Sequence, residues 1–76
     1  MQDNVIQFQH RFSKTDLTIL SNYEGVQYIY PDIDTYLLSN GKTVLRNYKG
    51  YGCYDENGRT VMKDRRTLTE VVSSIS

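Results

Sequence analysis

The side chains able to act as acid, base or nucleophile are few and scattered. His10 is the single histidine, and Ser13 and Asp16 follow it within one short stretch. A Ser-His-Asp triad needs three side chains converging on a pocket from a rigid frame, and neighbours along a stretch of chain do not supply that. Asp32 and Asp34 are a pair of carboxylates beside Pro31; there, turn and surface roles are expected, with no apolar setting to mark a substrate pocket. Asp55-Glu56-Asn57-Gly58 opens in the manner of a calcium loop, but the position where such a loop ends on a bidentate Glu is Arg66. Gly50, Gly52 and Gly58 are not followed by the Gly-Lys-Ser/Thr of a phosphate-cradling loop. Cys53 is the only cysteine, so an internal disulfide is excluded, and without a Cys or His cluster around it so is a zinc site. The sequence therefore predicts no enzyme, no metal and no cofactor.

Binding chemistry is better represented. Tyrosine is in excess, seven against two phenylalanines and no tryptophan, and its ring packs while its hydroxyl stays wet, which suits both strands and interfaces. Tyrosine and arginine are also the residues enriched at interface hot spots. On this ground Tyr28, Tyr30, Arg46, Tyr48, Tyr51 and Arg59 are the candidate partner-binding residues. Nine basic and nine acidic residues balance overall, yet they are unevenly placed: residues 1 to 41 carry a net charge of minus three and residues 42 to 66 plus four. A chain of two signs steers a charged partner onto one face.

The elements that must hold these residues are legible from turns and periodicity. At 76 residues the chain is expected to be one domain, 1–76, burying roughly 60% of the surface that its unfolded form exposes. Asn40-Gly41 and Asn57-Gly58 each sit between apolar runs, and Asn-Gly is the preferred filling of a two-residue type I′ hairpin. Folding about the first sets Leu38 opposite Thr43, Leu37 opposite Val44 and Tyr36 opposite Leu45. Folding about the second sets Glu56 opposite Arg59, Tyr54 opposite Val61 and Cys53 opposite Met62. Val26 to Tyr30 alternates as a half-buried strand with two tyrosines on one face, and Pro31-Asp32 presets a turn into the next strand. The rival reading of 32–40 is a helix capped by Asp32 with Ile33, Tyr36 and Leu37 on one side. Tyr48 to Tyr51 closes the central strands through Gly50.

Ser13 with Asp16 three residues on is a short capping box, predicting a helix from Lys14 to about Tyr23 with Leu17, Leu20 and Tyr23 or Glu24 on one side and Gly25 as its stop. A strand through Leu17 to Ser21 competes, since Thr15, Thr18 and Ile19 are poor helix formers. Thr67 with Glu70 opens a C-terminal helix whose Leu68, Val71, Val72 and Ile75 share one face. Residues 1–12 fit helical and strand spacing alike and are read as a strand or extended arm. The expected fold is α+β: an antiparallel sheet of four to five strands, a meander with Asn-Gly hairpins, plus a C-terminal helix and a short N-terminal helix. One helix layer leaves the other sheet face open for a partner.

Two resemblances bear on function. The segment from Gly50 to Arg59, with Thr67-Leu68-Thr69-Glu70 after it, resembles integrase arm-type DNA-binding domains, in an aromatic-Asp-x-x-Gly-Arg hairpin and a Thr-x-x-Glu helix start. That resemblance implies a three-stranded sheet entering a major groove, with Lys42, Arg46, Lys49, Arg59 and Lys63 on phosphates. The neutral net charge departs from the basic character that such domains are expected to have. In profile, a small chain without reaction chemistry, opening on Asn4-Val5-Ile6-Gln7-Phe8, resembles phage-encoded inhibitors of host machinery, anti-CRISPR proteins among them. The expectation is a non-enzymatic macromolecule-binding protein, an inhibitor or adaptor that occludes a protein target with a charged sheet face. A small DNA-binding domain is the alternative, and homodimerisation through the open face or an edge strand is open. The lone cysteine, the lack of a run of about 20 apolar residues and the lack of a secretory leader predict a cytoplasmic protein with no membrane partner.

Overall fold

The computed structural model describes residues 11–75. The first ten residues, with the Asn4–Phe8 stretch and His10, lie outside the described residues. In chain order the elements are helix α1 (Lys14–Leu20), strands β1 (Gly25–Tyr30), β2 (Ile33–Leu38), β3 (Thr43–Asn47), β4 (Gly50–Tyr54) and β5 (Thr60–Arg65), and helix α2 (Leu68–Val72). The strands form one open antiparallel sheet in sequence order, a five-stranded meander, so the α+β expectation holds. Residues 33–38 are strand rather than helix, joined to β1 by the two-residue Pro31-Asp32 turn with Tyr30 opposite Ile33.

Both Asn-Gly turns differ from the two-residue reading in the same way. Leu38 N–H donates to Lys42 O at 2.8 Å and Gly41 N–H to Leu38 O at 2.9 Å. The loop is therefore Ser39-Asn40-Gly41, and only Gly41 takes a positive φ, 94°. Asp55-to-Arg59 repeats the pattern, with Gly58 at φ 81°. Three-residue loops ending on a left-handed glycine spare Asn the positive φ that a type I′ turn demands. The registers shift by one: Leu37 faces Thr43 and Tyr36 faces Val44, while Tyr54 faces Thr60. Cys53 does face Met62, because β5 carries an extra residue there and another before Arg65 faces Tyr51. Asp64, at φ 57°, lies in that second irregularity.

Helix α1 starts where the capping box places it. Asp16 N–H donates to Ser13 Oγ at 3.1 Å and Ser13 N–H to Asp16 Oδ2 at 2.9 Å. The helix ends at Leu20 rather than near Tyr23, and Gly25 is part of β1 instead of a stop. At Gly25 a side chain would meet Leu37 O at 2.5 Å, so the residue serves close strand approach. The inward side differs in part: Leu20 is buried and Tyr23, past the helix end, packs against the core as expected, but Asp16 is buried and Ile19 turned inward while Leu17 is exposed. Helix α2 buries Leu68 and Val71 as its spacing requires, with Val72 partly covered, while Ile75, expected on the same helical face, is buried in the turn after the helix ends. Glu70 Oε2 accepts from the Thr67 N–H and hydroxyl at 3.2 and 3.0 Å. Both helices lie on one sheet face, and the core forms between them from Phe12, Leu20, Leu38, Val44, Tyr51, Cys53, Leu68, Val71 and Ile75.

Candidate functional site

The registers sort every strand residue onto one of two faces. On the helix side, Gln27, Tyr36, Val44, Cys53 and Met62 form one row across all five strands, and Ile29, Asp34, Arg46, Tyr51 and Arg65 form the next. The second row holds charge inside the fold. Asp34, 2% exposed, accepts from Arg11 at 2.8 Å and from the Phe12 N–H at 2.9 Å. Asp16, 6% exposed, receives the Tyr51 hydroxyl at 2.6 Å and the Arg46 guanidinium at 3.3 Å. Arg46 also donates to Arg11 O at 2.6 Å and lies 4.8 Å from the Tyr51 ring centroid. These contacts fasten the chain entering α1, and α1 itself, to β2, β3 and β4.

Tyr51 and Arg46 thus have internal work, which removes them from the candidate contact surface. Burial, then the hydrogen bond and charge of Asp16, push the Tyr51 phenol up to about 12, opposed by Arg46. Cys53 is fully buried, and burial raises its thiol pKa, against a lowering by Lys42. A thiol so placed is unreactive.

The other face carries no such network. It presents Val26, Tyr28 and Tyr30 from β1, Ile33, Thr35 and Leu37 from β2, Thr43, Leu45 and Asn47 from β3, and Gly50, Gly52 and Tyr54 from β4. Not one of these is charged, in a chain with 24% charged residues. Val26, Leu37, Thr43, Tyr54 and Thr60 align as one row, and Tyr28, Thr35, Leu45 and Gly52 as its neighbour. Val26, Tyr28, Tyr30, Leu37 and Tyr54 are all exposed. Leu45 is only 5% exposed although no helix covers it, lying over the space left by Gly52, where a side chain would meet it at 3.5 Å.

Of the residues singled out in the sequence, Tyr28 and Tyr30 stand together on this open face. Tyr48 is exposed at the tip of the β3–β4 turn, where Lys49 Nζ lies 5.8 Å from its ring centroid, and Arg59 flanks the β4–β5 turn. The basic set divides as well. Lys49 and Lys63 line a concavity of about 190 Å³ over β3, β4 and β5, beside Asp64 and Leu45. Lys42 and Arg59 sit by the turns at the opposite end of the sheet from Lys49, and Arg46 is on the helix side. Across β1 to β4 the open face is thus uncharged where a charged one was expected, and charge borders it only at the β5 side, through Lys49, Lys63 and Asp64. Val26, Leu37, Leu45 and Tyr54 were missed; the even spacing of Val26, Tyr28 and Tyr30 carried the signal for the first, whereas the others depend on the shifted registers. The concavity, at about 190 Å³, falls below the roughly 300 Å³ of ordinary ligand sites. Among the described residues no His, Cys, Asp and Glu group is placed to hold a metal, and no helix is long and apolar enough to cross a membrane. Compared with known proteins, the chain matches no family model, no curated protein and no solved structure.

Proposed function

We propose that the protein is a non-enzymatic binding domain that docks another protein on the open face of its sheet, acting as an inhibitor or adaptor by covering a surface of its target. The observation that carries this reading is the absence of charge from that face across β1 to β4, together with three exposed tyrosines and exposed Val26 and Leu37. Apolar and aromatic surface without charge matches the buried centre of a protein–protein interface, from which charged residues are depleted. Phosphate contact needs the opposite, a clustered cationic surface, and the Lys and Arg residues here are divided between the two ends of the sheet and its interior. A phage-type inhibitor working in the cytoplasm is the particular form that the sequence profile suggests, and the buried, reduced Cys53 suits such a compartment.

The test is affinity capture from a bacterial lysate with and without nuclease at about 50 and 200 mM salt, repeated with Leu37→Glu. Leu37 is 39% exposed on the open face, near the end of β2, so the variant keeps the fold, which a thermal melt verifies. A protein partner that survives nuclease and salt but is lost more than ten-fold with Leu37→Glu supports the reading. Recovery of nucleic acid alone, lost at the higher salt, overturns it.

A further inference from the structure

The two edges of the sheet are built differently. β5 is irregular: it departs twice from register, holds Asp64 in a left-handed conformation and carries Lys63, Asp64 and Arg65 in succession. Bulges and charge of this kind prevent an edge from pairing with another strand. β1 has none of these devices. Gly25-Val26-Gln27-Tyr28-Ile29-Tyr30 contains no charge and no proline, and it pairs with β2 through six successive residues without a shift.

The backbone groups of β1 that have no partner strand among the described residues can be assigned. The two-residue Pro31-Asp32 turn makes Tyr30 and Ile33 a hydrogen-bonded pair, and Ser39 N–H donates to Glu24 O at 2.9 Å at the other end. Alternation then points the N–H and C=O of Val26 and Tyr28 at β2, and those of Gly25, Gln27 and Ile29 at the open edge. We propose that two copies of the chain pair antiparallel along β1 about a two-fold axis through Gln27, joining their sheets into one of ten strands. That register uses every outward group: Gln27 bonds to Gln27 of the second copy, and Gly25 to Ile29 on either side, giving six hydrogen bonds.

The side chains fit the same register. Val26 falls opposite Tyr28, an aromatic–branched pair that supports strand pairing, and both copies keep their helices on the same side. Ile29, the most exposed residue of β1 at 66%, falls opposite Gly25. Both lie on the helix side of the sheet, where Gly25 presents no side chain against Ile29. The strand is neutral, so no like charges meet across the axis.

The exposed parts of Val26, Tyr28, Ile29 and Tyr30 amount to on the order of 450 Å² per copy, about 900 Å² for the pair, below the roughly 1,200–2,000 Å² of stable specific interfaces, so the association is a weak one, with a dissociation constant of roughly micromolar order or above. This inference stands on the backbone edge of β1 and shares Val26 and Tyr28 with the open face, so a substitution on β4, away from that edge, separates the two.

Sedimentation equilibrium of the full chain, from about 1 to 300 µM to bracket that estimate, is the test, run beside Ile29→Lys and Tyr54→Glu, the latter on the open face three strands away from β1. The expected result is a doubling of mass with concentration, a dissociation constant raised at least ten-fold by Ile29→Lys, and little change with Tyr54→Glu. A single-chain mass throughout overturns the proposal, as does a dimer indifferent to Ile29→Lys. Removal of residues 1–10 is the companion measurement: a chain that dimerises only after that removal is one whose own N-terminal segment occupies the edge, which also overturns it.

Discussion

Replacing Tyr51 with Phe keeps the ring in the core and deletes one hydroxyl. That hydroxyl gives Asp16 its shortest hydrogen bond, 2.6 Å, and Asp16 is left with the Ser13 N–H at 2.9 Å and Arg46 at 3.3 Å. A hydrogen bond to a buried charged group contributes about 1.5–3 kcal/mol. The whole domain holds about 4–11 kcal/mol by the usual yield per residue, so a loss near 2 kcal/mol removes a fifth or more of it and lowers Tm by roughly 10 °C. The phenol also sets a pH dependence. Its pKa rises from 10.0 to about 12 on folding, so below pH 10 both states hold the proton and the contribution is complete. Between 10 and 12 the unfolded chain releases the proton while the folded one retains it, and stability falls as pH rises. Urea unfolding at pH 7, 9 and 11 measures both effects: the wild type loses stability between 9 and 11, and Tyr51→Phe starts lower and loses less. A cost under about 0.5 kcal/mol at pH 7, the level of an ordinary surface substitution, together with an unchanged alkaline slope, would refute the placement of Tyr51 on Asp16.

Two glycines with positive φ should respond unequally. At Gly50, φ 139°, an added side chain runs into the backbone of Arg65 on β5, so Gly50→Ala should cost at least about 3 kcal/mol in urea unfolding. Gly58→Ala, at φ 81° with open space around it, should cost only about 1 kcal/mol; equal costs would mean that β4 and β5 are not apposed at Gly50. Cys53 should resist a thiol reagent in the native protein and react fully in urea, with the rate following the unfolded fraction. Native labelling at the rate of a free thiol would place it outside the core.

What the sequence disclosed followed from local chemistry. Ser13 with Asp16, Thr67 with Glu70, Pro31-Asp32 and the apolar spacing of Leu68 to Ile75 each act within a few residues, and each element formed where they put it. The Asn-Gly turns were located but misread by one residue, because the dipeptide serves both a two-residue turn and the end of a three-residue loop. Choosing between them needs the pairing of whole strands. The consequence reached the candidate site: in the two-residue reading Leu37 shares a face with Val44, whereas in the fold Leu37 lies outward with Thr43 and Val44 lies in the core.

Asp16 was hidden for a related reason. A capping box fixes its place in the first helical turn and says nothing of which way that turn looks. Here one carboxylate oxygen both caps α1 and receives Tyr51 and Arg46 from the sheet, so the inner helical face runs Asp16, Ile19, Leu20 and Tyr23, an acid at its head. An ordinary open antiparallel sheet packs its apolar side inward and gives its polar side to water. This one partly inverts the arrangement, since Asp34 and Arg46 point to the helix side while the side toward water carries Val26, Leu37 and three tyrosines. The buried charges are matched by Arg11, Tyr51 and Asp16 within the fold. The exposed apolar row has no match inside the described chain, and exposing it to water alone costs solubility without adding stability. That imbalance between an inner face whose charges are paired and an outer one whose apolar row is bare is the physical ground for expecting a second surface to complete it.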